Sequence, residues 1–543
     1  MKKMKKIMAL LLAGAMTMAM SFAAFADEAG TAVTAVAEAA EESEVLTVAA
    51  GAGSTGSLTV KVKDGQTLAN QTVNIYKLFD MTVSGDTEQK NYGYKVNATY
   101  APILDKVLGA GFTDKTDLGY YTAVEAATKD DKVQTFANNF TSKLLEYNRT
   151  NSPKIDATAT KSFDKNSTDT STEFTDLAYG YYLVCQTGTK AIQSSLVPVV
   201  KATGTEVDLK SEAPDITKKA DKETVSIGEV VNYTITGQVP DMTGYDNYVY
   251  KVHDTLTDGL DFVTNTEGTK VAVKVEIGGA VVSEITTADF AGTDGSVSES
   301  ATRTMVLDLS EKVRTATAGQ EIKVTYSAKV NKNAVVETKN SATLEYSNKP
   351  GETGTGTTKP TEVVTPTYPL DVNKTNTKNV QLADAHFTLY GATATGEIDK
   401  TKVIKVTDDG NGKYSYAADQ TSTAAGVITD MKTVATGIDG SGYNLHINGL
   451  AAETYYLEET QAPEGYNKLS APIKVTITKT GDTNWTISKN DTTEDDKIID
   501  IENSTGSLLP STGGRGTIAF AVVAVLLVFG VTVSYIRDKK KEA

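Results

Sequence analysis

Three residues far apart in the chain, Lys374, Glu459 and Asn503, carry side chains that can react with one another if folding brings them together. A β-strand puts alternate residues on one face. In Leu370-Asp371-Val372-Asn373-Lys374, a core-facing Leu370 and Val372 therefore turn Lys374 inward as well. Tyr455, Leu457 and Glu459 alternate in the same way, and so do Ile499, Ile501 and Asn503. An ionisable group is costly to bury without a partner, so the three are read as one set. Burial disfavours the ammonium and makes Lys374 a neutral nucleophile. It also favours the protonated form of a carboxylic acid, which lets Glu459 donate a hydrogen bond to the Asn503 amide oxygen and polarise its carbon. Attack by the amine then expels ammonia and leaves an intramolecular isopeptide bond between Lys374 and Asn503.

The segment Tyr455-Tyr456-Leu457-Glu458-Glu459-Thr460-Gln461-Ala462-Pro463-Glu464-Gly465-Tyr466 resembles the E-box (YxLxETxAPxGY) of Gram-positive pilins and collagen-adhesin B-type domains. Every fixed position of that pattern is matched, and the resemblance gives Glu459 the role of the acid that promotes the bond. Upstream, Ile216 and Lys218 share a strand face, as do Tyr250, Val252 and Asp254, and as do Asn340, Ala342 and Leu344. The stretches 232–235, 239–241, 252–256 and 340–348 resemble the fimbrial isopeptide domain that precedes the E-box domain in backbone pilins. That resemblance makes Lys218 the nucleophile, Asp254 the acid and Asn340 the electrophile. Lys219 is the weaker nucleophile, because alternation points it outward.

The C-terminus has three parts. Leu509-Pro510-Ser511-Thr512-Gly513 is followed by an apolar run over 517–536 and then by Arg537-Asp538-Lys539-Lys540-Lys541. A run of about twenty apolar residues spans a hydrocarbon core, and the basic tail stays cytoplasmic. Together these resemble the LPxTG cell-wall sorting signal, matched at Leu509, Pro510, Thr512 and Gly513. The resemblance implies a sortase that cuts between Thr512 and Gly513 and passes the Thr512 acyl group to an amine. At the other end, Lys2, Lys3, Lys5 and Lys6 precede an apolar run, and Ala24-Phe25-Ala26 offers small residues for cleavage before Asp27. Residues 1–26 read as a signal peptide.

Composition bounds the rest. The net charge of −16, without any basic stripe, argues against nucleic acid as a partner. Cys185 is the only cysteine, so no internal disulfide can form; it reads as a small core hydrophobe rather than a reactive thiol. His253, His386 and His446 lack metal-ligand spacing, and neither a phosphate loop nor a nucleophile elbow is present. An enzyme is therefore not expected, nor a cofactor or a metal.

Alternating apolar and polar runs with scarce helical periodicity predict an all-β chain. The expected architecture is three tandem Ig-like β-sandwiches of CnaA and CnaB type, ending in a transmembrane sorting signal. A flexible segment over 27–53 leads into an N-terminal pilin domain over 54–212. A CnaA-like isopeptide domain follows over 213–365, then a CnaB-type E-box domain over 366–506, then the sorting signal over 507–543. The first domain includes a partly helical stretch, with Ile103, Leu104, Val107 and Leu108 at helical spacing. It resembles the N-terminal pilin domain through Gly56-Ser57-Leu58, Tyr76 to Asp80 and Gly180 to Val184, but no ET-x-AP follows, so no crosslink is assigned there.

These resemblances imply a backbone subunit of a sortase-assembled pilus that supports adhesion. It would be covalently held at the cell wall by pilin-specific and housekeeping sortases, with peptidoglycan, minor pilins and further copies of itself as partners. Such a subunit needs an acceptor lysine between its first two domains, commonly in a YPK-like motif. This chain has Val207-Asp208-Leu209-Lys210 there, which makes Lys210 the first choice and Lys201 the second. The alternative is a monomeric wall-anchored adhesin or minor pilin.

Overall fold

The computed structural model describes residues 55–506, apart from 86–89, 131, 192, 201–203, 292–300 and 351–352. The expected signal peptide, the arm over 27–53, the LPSTG motif, the helix over 517–536 and Lys201 all lie outside the described residues. Among the described residues no helix is long and apolar enough to cross a membrane.

The chain is mostly β-sheet, and its strands fall into three consecutive blocks that do not exchange strands. In the first block a three-stranded sheet is centred on Thr55–Val62, which pairs antiparallel with Ser171–Ala178 and parallel with Thr205–Leu209. It faces a larger sheet built on Thr72–Gly85 and Gly180–Thr187 across a core that includes Leu58, Val60, Ile75, Tyr182, Val184 and Val207. The far face of that larger sheet is also covered. Helices Ala101–Leu108, Asp117–Thr128 and Val133–Thr150 pack Ile103, Leu104, Tyr120, Phe136 and Phe140 against Leu78, Leu183 and Cys185. This explains why Gly180–Thr187 is buried almost continuously rather than at alternate residues.

In the middle block, Ile216–Ala220 pairs with Val230–Gln238, which pairs in turn with Glu321–Val330. The hydrogen-bonded path continues through Val271–Ile277 to Tyr250–Leu256 and Lys339–Ser347. One core encloses inward residues from all of these strands, among them Tyr233, Val252, Val324, Tyr326 and Leu344. The Gly-, Thr- and Pro-rich stretch after Ser347 forms two short strands, Thr355–Thr357 and Thr361–Val364, which edge Lys339–Ser347.

The third block opposes a sheet containing Tyr368–Asn376 and Ile498–Asn503 to one containing His386–Ala392 and Thr454–Gln461. Its first and last strands run parallel and adjacent, with Lys374 opposite Ile501 and Asn376 opposite Asn503.

The blocks meet through hydrogen bonds in which at least one partner is main chain. Ile227 donates its N–H to the Gly449 carbonyl at 3.0 Å, and the Ala451 N–H reaches Ser226 Oγ at 3.1 Å. Gly449 has φ of 84°, and a Cβ there would lie 2.1 Å from the Ile227 side chain, so only glycine fits. Between the first two blocks, Asn70 Nδ2 donates to Thr357 O at 2.9 Å and Asn348 Nδ2 to Asn70 O at 3.1 Å.

Candidate functional site

Lys218 and Lys374 are the only buried lysines among the described residues. Each lies in a different block beside a buried acid and a buried asparagine, so the two sets are spatial clusters and not merely a pattern in the sequence.

In the third block, strand alternation sets the direction of every member. The inward residues of Thr454–Gln461 are Tyr455, Leu457 and Glu459, and those of Ile498–Asn503 are Ile499, Ile501 and Asn503. Since Lys374 faces Ile501 across the parallel pair, Asn503 is one same-face step further on, about 8 Å away at Cα from strand spacing and rise. That is within reach of a lysine side chain. Lys374, Glu459 and Asn503 are each at most 1% exposed. Asn503 Nδ2 donates to Glu459 Oε2 at 3.1 Å and to Asn467 O at 2.5 Å. Leu469 N–H fixes the same Glu459 oxygen at 2.6 Å. The Lys374 amine donates instead to the carbonyls of Ile501 at 3.2 Å and Thr375 at 3.4 Å. Two acceptors are left without a partner, Glu459 Oε1 and Asn503 Oδ1. Burial pulls the Lys374 amine down to about 8, against the opposing pull of Glu459 and Glu502.

Asn444 is a member that the sequence reading missed. Its carboxamide oxygen accepts the Lys374 N–H at 2.7 Å, while its nitrogen donates to the carbonyls of Lys374, Leu382 and Val434. A buried Asn therefore clamps the backbone that carries Lys374. Its position between Tyr443 and Leu445, outside any recognisable motif, gave no signal.

The middle block is tighter. The Lys218 amine donates to Asp254 Oδ2 and, at 2.7 Å, to the Tyr326 hydroxyl. Tyr326 donates to Asp254 Oδ2 at 2.5 Å and accepts from Asn340 Nδ2 at 3.0 Å. Here too the partnerless atoms include the second acid oxygen, Asp254 Oδ1, and the amide oxygen, Asn340 Oδ1. Burial lowers the Lys218 amine to about 8 although Asp254 pulls the other way, and burial raises the Asp254 carboxyl despite Lys218, Tyr326 and Asn340. Both directions favour a neutral pair. Lys219, the alternative nucleophile, is exposed on the opposite face.

Among the described residues the first block shows no such set. Its parallel first and last strands face Val60 and Val62 toward Val207 and Leu209, and Lys61 points outward to Glu206 at 2.6 Å. Cys185 is buried there, its thiol raised to about 11 by desolvation, as suits a core residue. Lys210 is exposed just past Thr205–Leu209, in the link to the middle block. Among the described residues no cluster of His, Cys, Asp and Glu could hold a metal ion.

Residues 369–492 match the family model for SpaA, described as a prealbumin-like fold domain. The third block is thus similar to the SpaA prealbumin-like domain. The matched stretch takes in Lys374 and Glu459 and stops short of Asn503. A curated relative, platelet adherence protein A of Streptococcus gordonii, is 26% identical over 301 residues, 52% of this chain. The chain spans only 7% of that relative's length. Among solved structures, the chain is similar to the full-length major pilin SpaD of Corynebacterium diphtheriae, with 20% identity, coverage of 83% and 98%, and a TM-score of 0.41. It is also similar to the major pilin SpaA of the same organism, with 15% identity, coverage of 83% and 100%, and a TM-score of 0.41. BcpA, the major pilin subunit of Bacillus cereus, aligns with 16% identity, the same coverages and a TM-score of 0.34.

Proposed function

We infer that this chain is a structural backbone subunit of a sortase-assembled pilus, hardened internally by Lys374–Asn503 and Lys218–Asn340 isopeptide bonds. The observation that carries the reading is that both buried lysines sit beside a buried acid and a buried carboxamide. The SpaA domain match, the E-box residues and the LPSTG signal support it.

In each set one proton would serve both partnerless oxygens. Carried on Glu459 Oε1 or Asp254 Oδ1, it can be shared with the amide oxygen and make the amide carbon electrophilic. The neutral amine attacks that carbon, and nitrogen leaves as ammonia. This is a single self-modification without turnover, so the chain is not an enzyme. The three structural units are 54–212, 213–365 and 366–506. Export by the signal peptide, cleavage after Thr512 and transfer to Lys210 of the next copy would build a covalent fibre, ending at peptidoglycan. The exposed Lys210 fits that acceptor role.

Intact mass of the exported region tests the internal chemistry: two bonds remove two ammonia molecules, a deficit of about 34 Da. Polymerisation is tested on a denaturing gel of surface extracts. The wild type is expected to run as a high-mass ladder, and Lys210→Ala to collapse it to a monomer. A single band from the wild type would favour the second reading, a monomeric wall-anchored adhesin. The absence of a YPK-like motif at Lys210 and the match to an adherence protein speak for that reading.

The depressed amines also set a pH dependence. Below about 8 each lysine is mostly ammonium and cannot attack; above it the free amine dominates. Bond formation after a timed pulse of cell-free synthesis should therefore speed up with pH as far as about 8 and then level off. A rate that declines across the same interval would contradict a neutral-amine nucleophile.

A further inference from the structure

We propose that Tyr326 is a catalytic residue of the middle block, its phenol oxygen relaying a proton from the Lys218 amine to the Asn340 amide nitrogen as those two residues are joined. The proposal rests on the crosslinking reading above.

The need for a relay follows from the reaction. When the Lys218 nitrogen attacks Asn340 Cγ, the amide π-electrons move onto Oδ1 and the attacking nitrogen becomes positively charged. It must lose a proton. The departing nitrogen must gain one, because it leaves as ammonia and not as an amide anion. In water the solvent would carry that proton, but Lys218, Asp254, Tyr326 and Asn340 are all buried.

The Tyr326 hydroxyl is placed between the two nitrogens. It lies 2.7 Å from Lys218 Nζ and 3.0 Å from Asn340 Nδ2, accepting a hydrogen bond from each. Both distances are those of direct proton transfer. Its own proton points at Asp254 Oδ2, 2.5 Å away. Turning that proton toward Nδ2 while the phenol oxygen takes one from Nζ leaves tyrosine unchanged. Collapse of the intermediate then restores the carbonyl, breaks Cγ–Nδ2 and releases ammonia. Asp254 meanwhile remains available at the amide oxygen. Burial and Asp254 keep the phenol far from ionising, so it acts as a neutral two-way carrier.

The third block is built differently and offers an internal control. There Lys374 Nζ donates only to main-chain carbonyls, and the acid contacts the leaving nitrogen directly through Glu459 Oε2. Tyr326→Phe retains the ring stacked on Tyr233 at 5.7 Å and tilted against Phe262 at 5.9 Å, and removes only the hydroxyl.

The test follows both crosslinked peptides by mass spectrometry in the full chain after a pulse of synthesis. In Tyr326→Phe the Lys218–Asn340 bond should form about a hundred-fold more slowly, while Lys374–Asn503 forms at the wild-type rate. Incorporating 3-fluorotyrosine at position 326 guards against misfolding, because it changes one atom but makes the phenol more acidic. Its rate should depart from wild type in the middle block alone. Wild-type rates in both substituted chains overturn the relay. A wild type lacking the Lys218–Asn340 peptide overturns the crosslink itself, and the relay with it.

Discussion

Glu459→Ala is expected to leave the Lys374–Asn503 bond unmade, so that its intact mass falls short of the mass calculated from its own sequence by about 17 Da rather than about 34 Da, one ammonia being retained. The stability effect should be large. A tie between Lys374 and Asn503 closes a loop of about 130 residues, and by the chain-entropy argument its loss costs about 4 to 5 kcal/mol. For a block of this size that corresponds to a fall in Tm of about 15 °C. Calorimetry should place the fall in the transition of the third block, leaving the middle block unmoved, because its own acid is Asp254. Asp254→Ala should give the mirror-image result. A deficit still at about 34 Da in Glu459→Ala would remove this carboxyl from the reaction, however well it is buried.

A second large effect separates packing from chemistry. Neither Lys218→Ala nor Lys218→Met has an amine with which to form the proposed middle bond, so any difference between them reports the cavity. The Lys218 side chain is fully enclosed, its nitrogen 5.3 and 5.4 Å above the rings of Tyr233 and Tyr326. Both leave Asp254 without the Lys218 amine, but alanine also leaves the space empty, whereas methionine refills most of it. The alanine chain is expected to be less stable than the methionine chain by about 2 to 5 kcal/mol, read from urea midpoints at constant slope. Equal midpoints would mean that the site collapses freely around the missing stem. The core around Tyr233, Tyr250, Tyr326 and Tyr346 opposes such collapse.

The inward direction of Lys374, Glu459 and Asn503 was legible because the side-chain period of a strand is two and apolar neighbours mark the face. The same holds for Lys218, Asp254 and Asn340. The helices were only partly legible. Ile103, Leu104, Val107 and Leu108 betray the first of them, and Val133, Phe136, Ala137, Phe140 and Leu144 recur at helical spacing in Val133–Thr150, a stripe that went unread. Asp117–Thr128 mixes small, polar and aromatic residues without a clean stripe. It packs with the other two over the outer face of a sheet already filled on its inner face, a need that its own pattern does not announce.

Tyr326 marks the sharper boundary. In Glu-Ile-Lys-Val-Thr-Tyr-Ser-Ala-Lys-Val it alternates with Ile322, Val324 and Ala328 and reads as one more core aromatic. A buried phenol does require a partner for its hydroxyl, which was the available clue. The identity of its partners depends on residues 14, 72 and 108 positions away in the chain, on three other strands.

The chain's order of residues by itself determined which side chains face inward, that it is mostly β, and that an amine, an acid and a carboxamide recur in two places. Only the tertiary structure decided distances: a phenol between two nitrogens in one block, an acid on the carboxamide nitrogen in the other. The reason is that periodicity is a property of one strand, whereas reactivity depends on the register between strands and the separation between layers, which local sequence does not encode.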